Sequence, residues 1–124
     1  MLILPIKKKW FDMILSGEKK EEYREIKPYY RSRLHNEGFL DQYGLPTLFQ
    51  GRVLFRNGYA ENSPSFKALC SLDIKTGRPE WGAESGREYY VLKILEIARE
   101  ERLALEAKVP QAAKRSTCAL SRRA

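Results

Sequence analysis

Six charged groups stand directly behind a glycine in the run Gly17-Glu18-Lys19-Lys20-Glu21-Glu22-Tyr23-Arg24. In an extended chain Lys20, Glu22 and Arg24 project from one face, while Lys19, at the bend, can swing across to join them. The result is a compact cluster of cations around a carboxylate. On an open surface such a strand is laced with weak ion pairs worth little. Gathered in a partly buried site, the same charges are costly to desolvate and need a binding or catalytic reason to be there. Aromatic and amide groups offer a second kind of chemistry. Trp81, between Pro79 and Gly82, can stack on a flat ligand, a contact worth ~1 to 3 kcal/mol for a nucleobase, or plug the end of a barrel. Tyr29, Tyr30 and Tyr59 divide between the same two roles, and Asn57 either reads a hydrogen-bonding edge or shapes the Asn57-Gly58 turn. His35 falls at a helix end, where an exposed imidazole suits the helix dipole better than it suits catalysis. Cys70 points inward from an apolar strand and reads as core.

These residues need elements to hold them. Leu2, Ile3, Leu4 and Ile6 surround Pro5, and because proline cannot donate to a ladder the run reads as an edge strand. From Lys7 on, Trp10, Phe11, Ile14 and Leu15 recur at helical spacing, with Gly17 able to take the left-handed conformation behind a helix that ends near Ser16. The charged run that follows is too polar for a buried strand and is cut off from the helix by glycine, so it reads as a surface or cleft-lining strand. Pro28 opens a second short helix carrying Tyr29, Tyr30, Arg31 and Arg33, followed by a loop marked by Gly38, Gly44 and Pro46. Val53, Leu54 and Phe55 form a strand that meets Asn57-Gly58. Phe66, Ala68, Cys70, Leu72 and Ile74 alternate with Lys67, Leu69, Ser71 and Asp73, the period of a half-buried strand. After a turn at Thr76-Gly77-Arg78-Pro79 and a glycine-punctuated loop from Glu80 to Gly86, a last strand runs from Tyr89 to Ile97. Five or so short strands with two small helices predict an α+β fold, a small mixed barrel. The first helix should cover one opening of it and bury Trp10 and Ile14.

At 124 residues the chain has the size of one domain, and 43% hydrophobic with 31% charged residues gives it enough apolar surface for a core. No apolar run approaches the ~20 residues of a membrane span or the h-region of a signal peptide, so no membrane partner is expected. Two distant cysteines, Cys70 and Cys118, and a single histidine offer neither a disulfide framework nor a zinc site. A cytoplasmic protein without metal or cofactor fits this composition. The net charge of +7 is carried mainly by the end of the chain. From Lys108 onward Lys108, Lys114, Arg115, Arg122 and Arg123 face no acidic residue, which leaves 18 basic against 16 acidic residues in positions 1–107. Residues 99–124 read as a basic C-terminal extension, partly helical or disordered, that adds non-specific phosphate attraction at most. The site therefore belongs to residues 1–98.

The run Ile14-Leu15-Ser16-Gly17-Glu18-Lys19-Lys20-Glu21-Glu22-Tyr23-Arg24 resembles the signature of ASCH domains, small relatives of the PUA fold, in which an apolar helix leads into G-x-K-x-x-E-x-R. Gly17, Lys19, Glu22 and Arg24 match it. The opening Leu4-Pro5-Ile6, Asn57-Gly58-Tyr59, the Glu80-Trp81-Gly82-Ala83 loop and the closing Tyr89-Tyr90-Val91-Leu92-Lys93-Ile94 strand also resemble bacterial and phage-type members. The likeness covers roughly residues 2 to 98. It implies an ASCH/PUA-like domain over residues 1–98. The fold expected with it is a small PUA-like β-barrel of about five to six strands with two short helices, whose cleft beside the signature strand binds RNA or a modified nucleoside. Some ASCH members hydrolyse the acetyl group of N4-acetylcytidine with a lysine, a threonine and a glutamate, and others are linked to RNA cleavage. Lys19 takes the lysine position, whereas the threonine position falls on Glu22, and a carboxylate does not replace a hydroxyl nucleophile. Glu80 and Glu84 are the two candidates for the glutamate.

Three functions compete on these residues. In a binding module the cleft accepts a nucleotide or modified base, with Lys20, Arg24 and Arg31 on phosphate or carbonyl oxygens, Glu22 on an amino edge, and Tyr30, Asn57, Tyr59 and Trp81 lining the site. In a small hydrolase of the amidohydrolase or ribonuclease type, Lys19 is a general base whose pKa is lowered by Lys20 and burial, and Glu80 or Glu84 relays protons. In the third, the chain is a scaffold or interaction module with no ligand of its own. A carboxylate beside the Lys19 ammonium in a closed pocket would favour the enzyme, and a wide open groove would favour RNA.

Overall fold

Alternation of buried and less buried residues from Phe66 to Ile74 places the centre of the fold. The computed structural model describes residues 1–98, and the basic extension 99–124 lies outside the described residues. In chain order the elements are β1 (Leu2–Ile6), α1 (Lys8–Leu15), β2 (Glu21–Arg24), α2 (Pro28–Asn36), β3 (Gly51–Asn57), β4 (Ser65–Thr76), a 3-10 turn (Pro79–Trp81) and β5 (Glu88–Ile97). Phe66, Ala68, Cys70 and Leu72 of β4 all point inward, as their period of two requires, and meet Val53 and Phe55 of β3 and Leu2, Leu4 and Ile6 of β1. The inner face of α1 closes this core, with Phe11 edge-on to Phe66 at 5.0 Å between ring centres. Ile14 is almost fully buried.

The five strands form one sheet in the order β1-β3-β4-β5-β2. β1 runs parallel to β3, and the other neighbours are antiparallel. The α+β class, the strand number and the two short helices agree with the sequence reading, but the sheet is a curled half-barrel and not a closed barrel. The reason lies at its two edges. β1 carries Pro5, which has no N–H to donate, and β2 is four residues long and is spent on β5 through Glu21 to Arg24. Neither edge can support a backbone ladder to the other.

Trp10 departs from expectation. It sits about 100° round the helix from Phe11, so with Phe11 and Ile14 turned to the core it falls at the side, half-buried, where it lines a cleft. Behind α1, Gly17 adopts φ 86°, and its turn is held by bonds from Gly17 N to the Ile14 carbonyl (3.1 Å) and from Lys19 N to the Met13 carbonyl (3.0 Å). That tight reversal delivers Lys19 to the start of β2 with its side chain already pointing into the molecule.

Candidate functional site

Lys19 and Glu22 are the buried charged residues of the described chain, with 1% and 5% of their surfaces exposed. Their positions follow from the turn after α1 and from the pairing of β2. Lys20 O accepts the Ile94 amide at 2.9 Å, so the backbone of Lys20, Glu22 and Arg24 faces β5 and that of Glu21 and Tyr23 faces the free edge. The Lys19 ammonium lies 3.1 Å from Glu22 Oε1 and donates to the Trp81 carbonyl at 2.6 Å. It also lies over the rings of Trp10 and Tyr23, at 4.8 and 4.9 Å from their centres. Burial lowers the Lys19 pKa from its ordinary value, and the Glu22 carboxylate beside it opposes that shift.

Arg24 completes the group. Its Nη1 donates to the other carboxylate oxygen of Glu22 and, at 2.8 Å, to the Tyr23 carbonyl on the outer edge of β2. Its Nη2 donates at 3.0 Å to the Pro5 carbonyl on the outer edge of β1. One planar guanidinium thus spans the gap that the backbone leaves open, a task suited to a fork of fixed donors. On the opposite face of β2, the Tyr23 hydroxyl donates to Glu21 Oε1 (2.8 Å) and accepts from the Arg78 amide (2.9 Å). Gly77 makes room for this ring, since a Cβ there would stand 2.7 Å from it. Tyr23 and Arg78 hold one end of the loop from Thr76 to Glu88, Lys19 holds its middle, and the Tyr89 hydroxyl, accepting from the Glu84 amide at 3.0 Å, holds the other end.

Above this floor opens a cleft of about 1300 Å³. Its sides are the whole of β1, the start of α1 with Lys7, Lys8 and Trp10, the turn at Trp81 and Gly82, one side of α2, and the Asn57-Gly58-Tyr59 corner. Lys7, Lys8, Arg24, Lys27 and Arg33 outnumber Glu22 and Glu37 among its charged residues. Gly82, at φ 105°, lies so close to Trp10 that a Cβ would come within 3.0 Å of the indole, which fixes the turn against that ring.

Of the residues singled out in the sequence, Glu22, Arg24, Tyr30, Asn57, Tyr59 and Trp81 line this cleft, and Lys19 lies beneath it. Four others do not. Lys20 is exposed and does not line the cleft, whereas Lys19 is the lysine buried beside Glu22. Arg31 lies on the far side of α2, its guanidinium within 3.1 Å of the space a Cβ on Gly44 would fill. Glu80 is exposed beside Arg78 at 3.5 Å and Glu84 is exposed beside Arg87 at 3.4 Å, so neither carboxylate enters the cleft. His35 is exposed at the end of α2 and Cys70 is core, as expected. Trp10, Tyr23, Lys7, Lys27 and Arg33 were missed. The pair Tyr29 and Arg33, 4.1 Å from ring centre to guanidinium, was legible as an i, i+4 contact on α2. The carbonyls of Pro5 and Trp81 leave no mark in the sequence.

No three His, Cys, Asp or Glu side chains gather as a cation site among the described residues, and no helix among them is long and apolar enough to cross a membrane. No family model matches the chain, and neither a curated protein nor a solved structure matches it.

Proposed function

We propose that the chain is an ASCH-type, PUA-like binding domain whose cleft accepts a nucleotide or modified base of RNA. The observation that carries this reading is the cleft itself, open, rimmed by cations and faced by Trp10, Tyr29, Tyr30, Tyr59 and Trp81. Aromatic faces bind bases by stacking, and cations beside them meet phosphates. The curled half-barrel and the convergence of Lys19, Glu22 and Arg24 on its open seam are consistent with the resemblance in the Gly17 to Arg24 run. The arrangement supports binding over hydrolysis. A general base must reach the proton it takes, and the Lys19 ammonium is enclosed by Glu22, the Trp81 carbonyl and two rings. The two glutamates suited to relay protons lie in surface ion pairs outside the cleft.

The test is titration of the protein with cytidine, N4-acetylcytidine and a short single-stranded RNA, with analysis of products after long incubation. Binding without turnover is expected. Release of acetate or cleavage of the RNA by wild type, lost in Lys19→Met, would replace the binding reading with the hydrolase. Absence of affinity for all three would leave the scaffold reading.

A further inference from the structure

Two sides of the cleft, the outer edge of β1 and the turn bearing Trp81, are joined by no strand pairing. A continuous run of side chains connects them through the floor. The Pro5 carbonyl accepts from Arg24 Nη2 at 3.0 Å, Arg24 Nη1 meets Glu22, Glu22 Oε1 stands 3.1 Å from Lys19 Nζ, and Lys19 donates to the Trp81 carbonyl at 2.6 Å. The three side chains between the carbonyls are 15%, 6% and 1% exposed for Arg24, Glu22 and Lys19. We propose that this run acts as one tie that sets the separation of the two sides of the cleft, and that the anionic groups of a ligand are met instead by Lys7 and Arg33.

The argument is one of occupancy. Lys19 is too enclosed to touch a ligand, and three donors of Arg24 are engaged by Glu22, Tyr23 O and Pro5 O. A phosphate taking those donors would have to displace the Glu22 carboxylate and the Tyr23 and Pro5 carbonyls that already hold them. Lys7 and Arg33 differ in kind. Both line the cleft, both are exposed, and neither pairs with a carboxylate among the described residues, whereas Lys8 is held by Asp12 at 2.6 Å and Lys27 by Glu25 at 3.3 Å. Arg33 stacks on Tyr29, which joins a cation to an aromatic face at one place. The tie has a single carboxylate at its centre, so loss of Glu22 severs the link between the two cations and leaves each on its own carbonyl, and with the link intact a disturbance at Pro5 should be felt at Trp81. The second half of the proposal rests on the reading of the cleft as a nucleotide site. The first half does not.

The chain has two tryptophans, Trp10 and Trp81, so two indole N–H resonances report directly on one side of the cleft. Arg24→Lys keeps the charge and replaces the fork by a single point, which cannot serve Glu22, Tyr23 O and Pro5 O at once. In the ligand-free protein this variant should move the Trp81 resonance and its loop amides, although Arg24 and Trp81 share no hydrogen bond. Glu22→Gln should move the amides at both ends of the tie. A shift in Arg24→Lys confined to β1 and β2, with Trp81 unmoved, overturns the tie, and this holds whether or not Glu22→Gln folds. A fluorescein-labelled single-stranded octaribonucleotide is the binding probe. Lys7→Ala and Arg33→Ala should each weaken it about 3- to 10-fold at low salt, lower the slope of log affinity against log salt by about 0.7, and leave Trp81 in place. If those two variants bind like wild type while Arg24→Lys alone loses salt dependence, Arg24 is the anion contact and the assignment fails. If wild type has no affinity for the probe, the nucleotide reading falls and the tie is judged by the resonances.

Discussion

Replacing Glu22 by glutamine keeps its shape and removes the charge that faces both Lys19 and Arg24. The cost falls mainly on Lys19. Its ammonium, 1% exposed, keeps the Trp81 carbonyl and two aromatic faces but loses its counter-ion. Breaking a buried pair from one side costs about 3 to 5 kcal/mol. A ceiling follows independently, because Lys19 can escape by giving up its proton. At about 1.4 kcal/mol per pH unit, release at pH 7 from a group that holds its proton up to 10.5 when unfolded costs about 5 kcal/mol. The two figures agree, so Glu22→Gln should lower unfolding stability by about 3 to 5 kcal/mol at pH 7. Arg24 adds little, since it retains both carbonyls and is partly exposed. The sign of the pH dependence is then determined. Once the folded variant sheds the Lys19 proton while the unfolded chain keeps it, the unfolded state binds more protons and stability rises with pH. The deficit against wild type should then shrink as pH rises above 7, by no more than about 1.4 kcal/mol per unit. Adding Lys19→Met should recover much of the loss, because no unpaired charge then remains. Urea unfolding followed by tryptophan emission at pH 7, 8 and 9 measures all three proteins. A loss below about 1 kcal/mol that does not change with pH would refute the picture of an enclosed ammonium that depends on Glu22.

Tyr23→Phe removes the hydroxyl that accepts from the Arg78 amide and donates to Glu21, and should cost about 1 to 3 kcal/mol in the same unfolding assay, with faster amide exchange at Arg78 and Ala83. Glu21 is pushed upward by burial but held below its ordinary 4.5 by hydrogen bonds from Lys75 and Tyr23. Its contribution is therefore present above about pH 4.5 and lost as pH falls through the lowered value, and Lys75→Ala should flatten that part of the acid-stability curve by no more than ~1 kcal/mol, the partner being half exposed. Burial pushes the Cys70 thiol up to about 12, so in a Cys118→Ser protein a thiol reagent at pH 8 should label the folded chain far more slowly than the urea-unfolded one. Gly82→Ala should disturb the turn beside Trp10, both because of its positive φ and because a Cβ meets the indole, and should weaken RNA binding in the fluorescein titration by at least several-fold.

The sequence by itself determined what is local. The period of two from Phe66 to Ile74, the helical spacing of Phe11 and Ile14, the glycine after α1 and the proline opening α2 each depend on a few neighbouring residues, and each element appears where they place it. Pro5 marked β1 as an edge for a reason contained in one residue. The convergence of Lys19, Glu22 and Arg24 was legible for the same reason, since they lie within six positions of one another across a single turn. What the tertiary structure decided is which distant groups they meet. The Pro5 and Trp81 carbonyls are backbone atoms, identical at every position, and only the curl of the sheet and the folding back of the loop after β4 bring them to Arg24 and Lys19. The way α1 and α2 pack on the sheet turned Trp10 toward the cleft and Arg31 away from it, while Lys20, Glu80 and Glu84 stayed exposed outside it. Side-chain type and period specify a face. Which of the chemically equivalent lysines, arginines and glutamates reaches an enclosed site depends on long-range packing, which no short run of residues encodes.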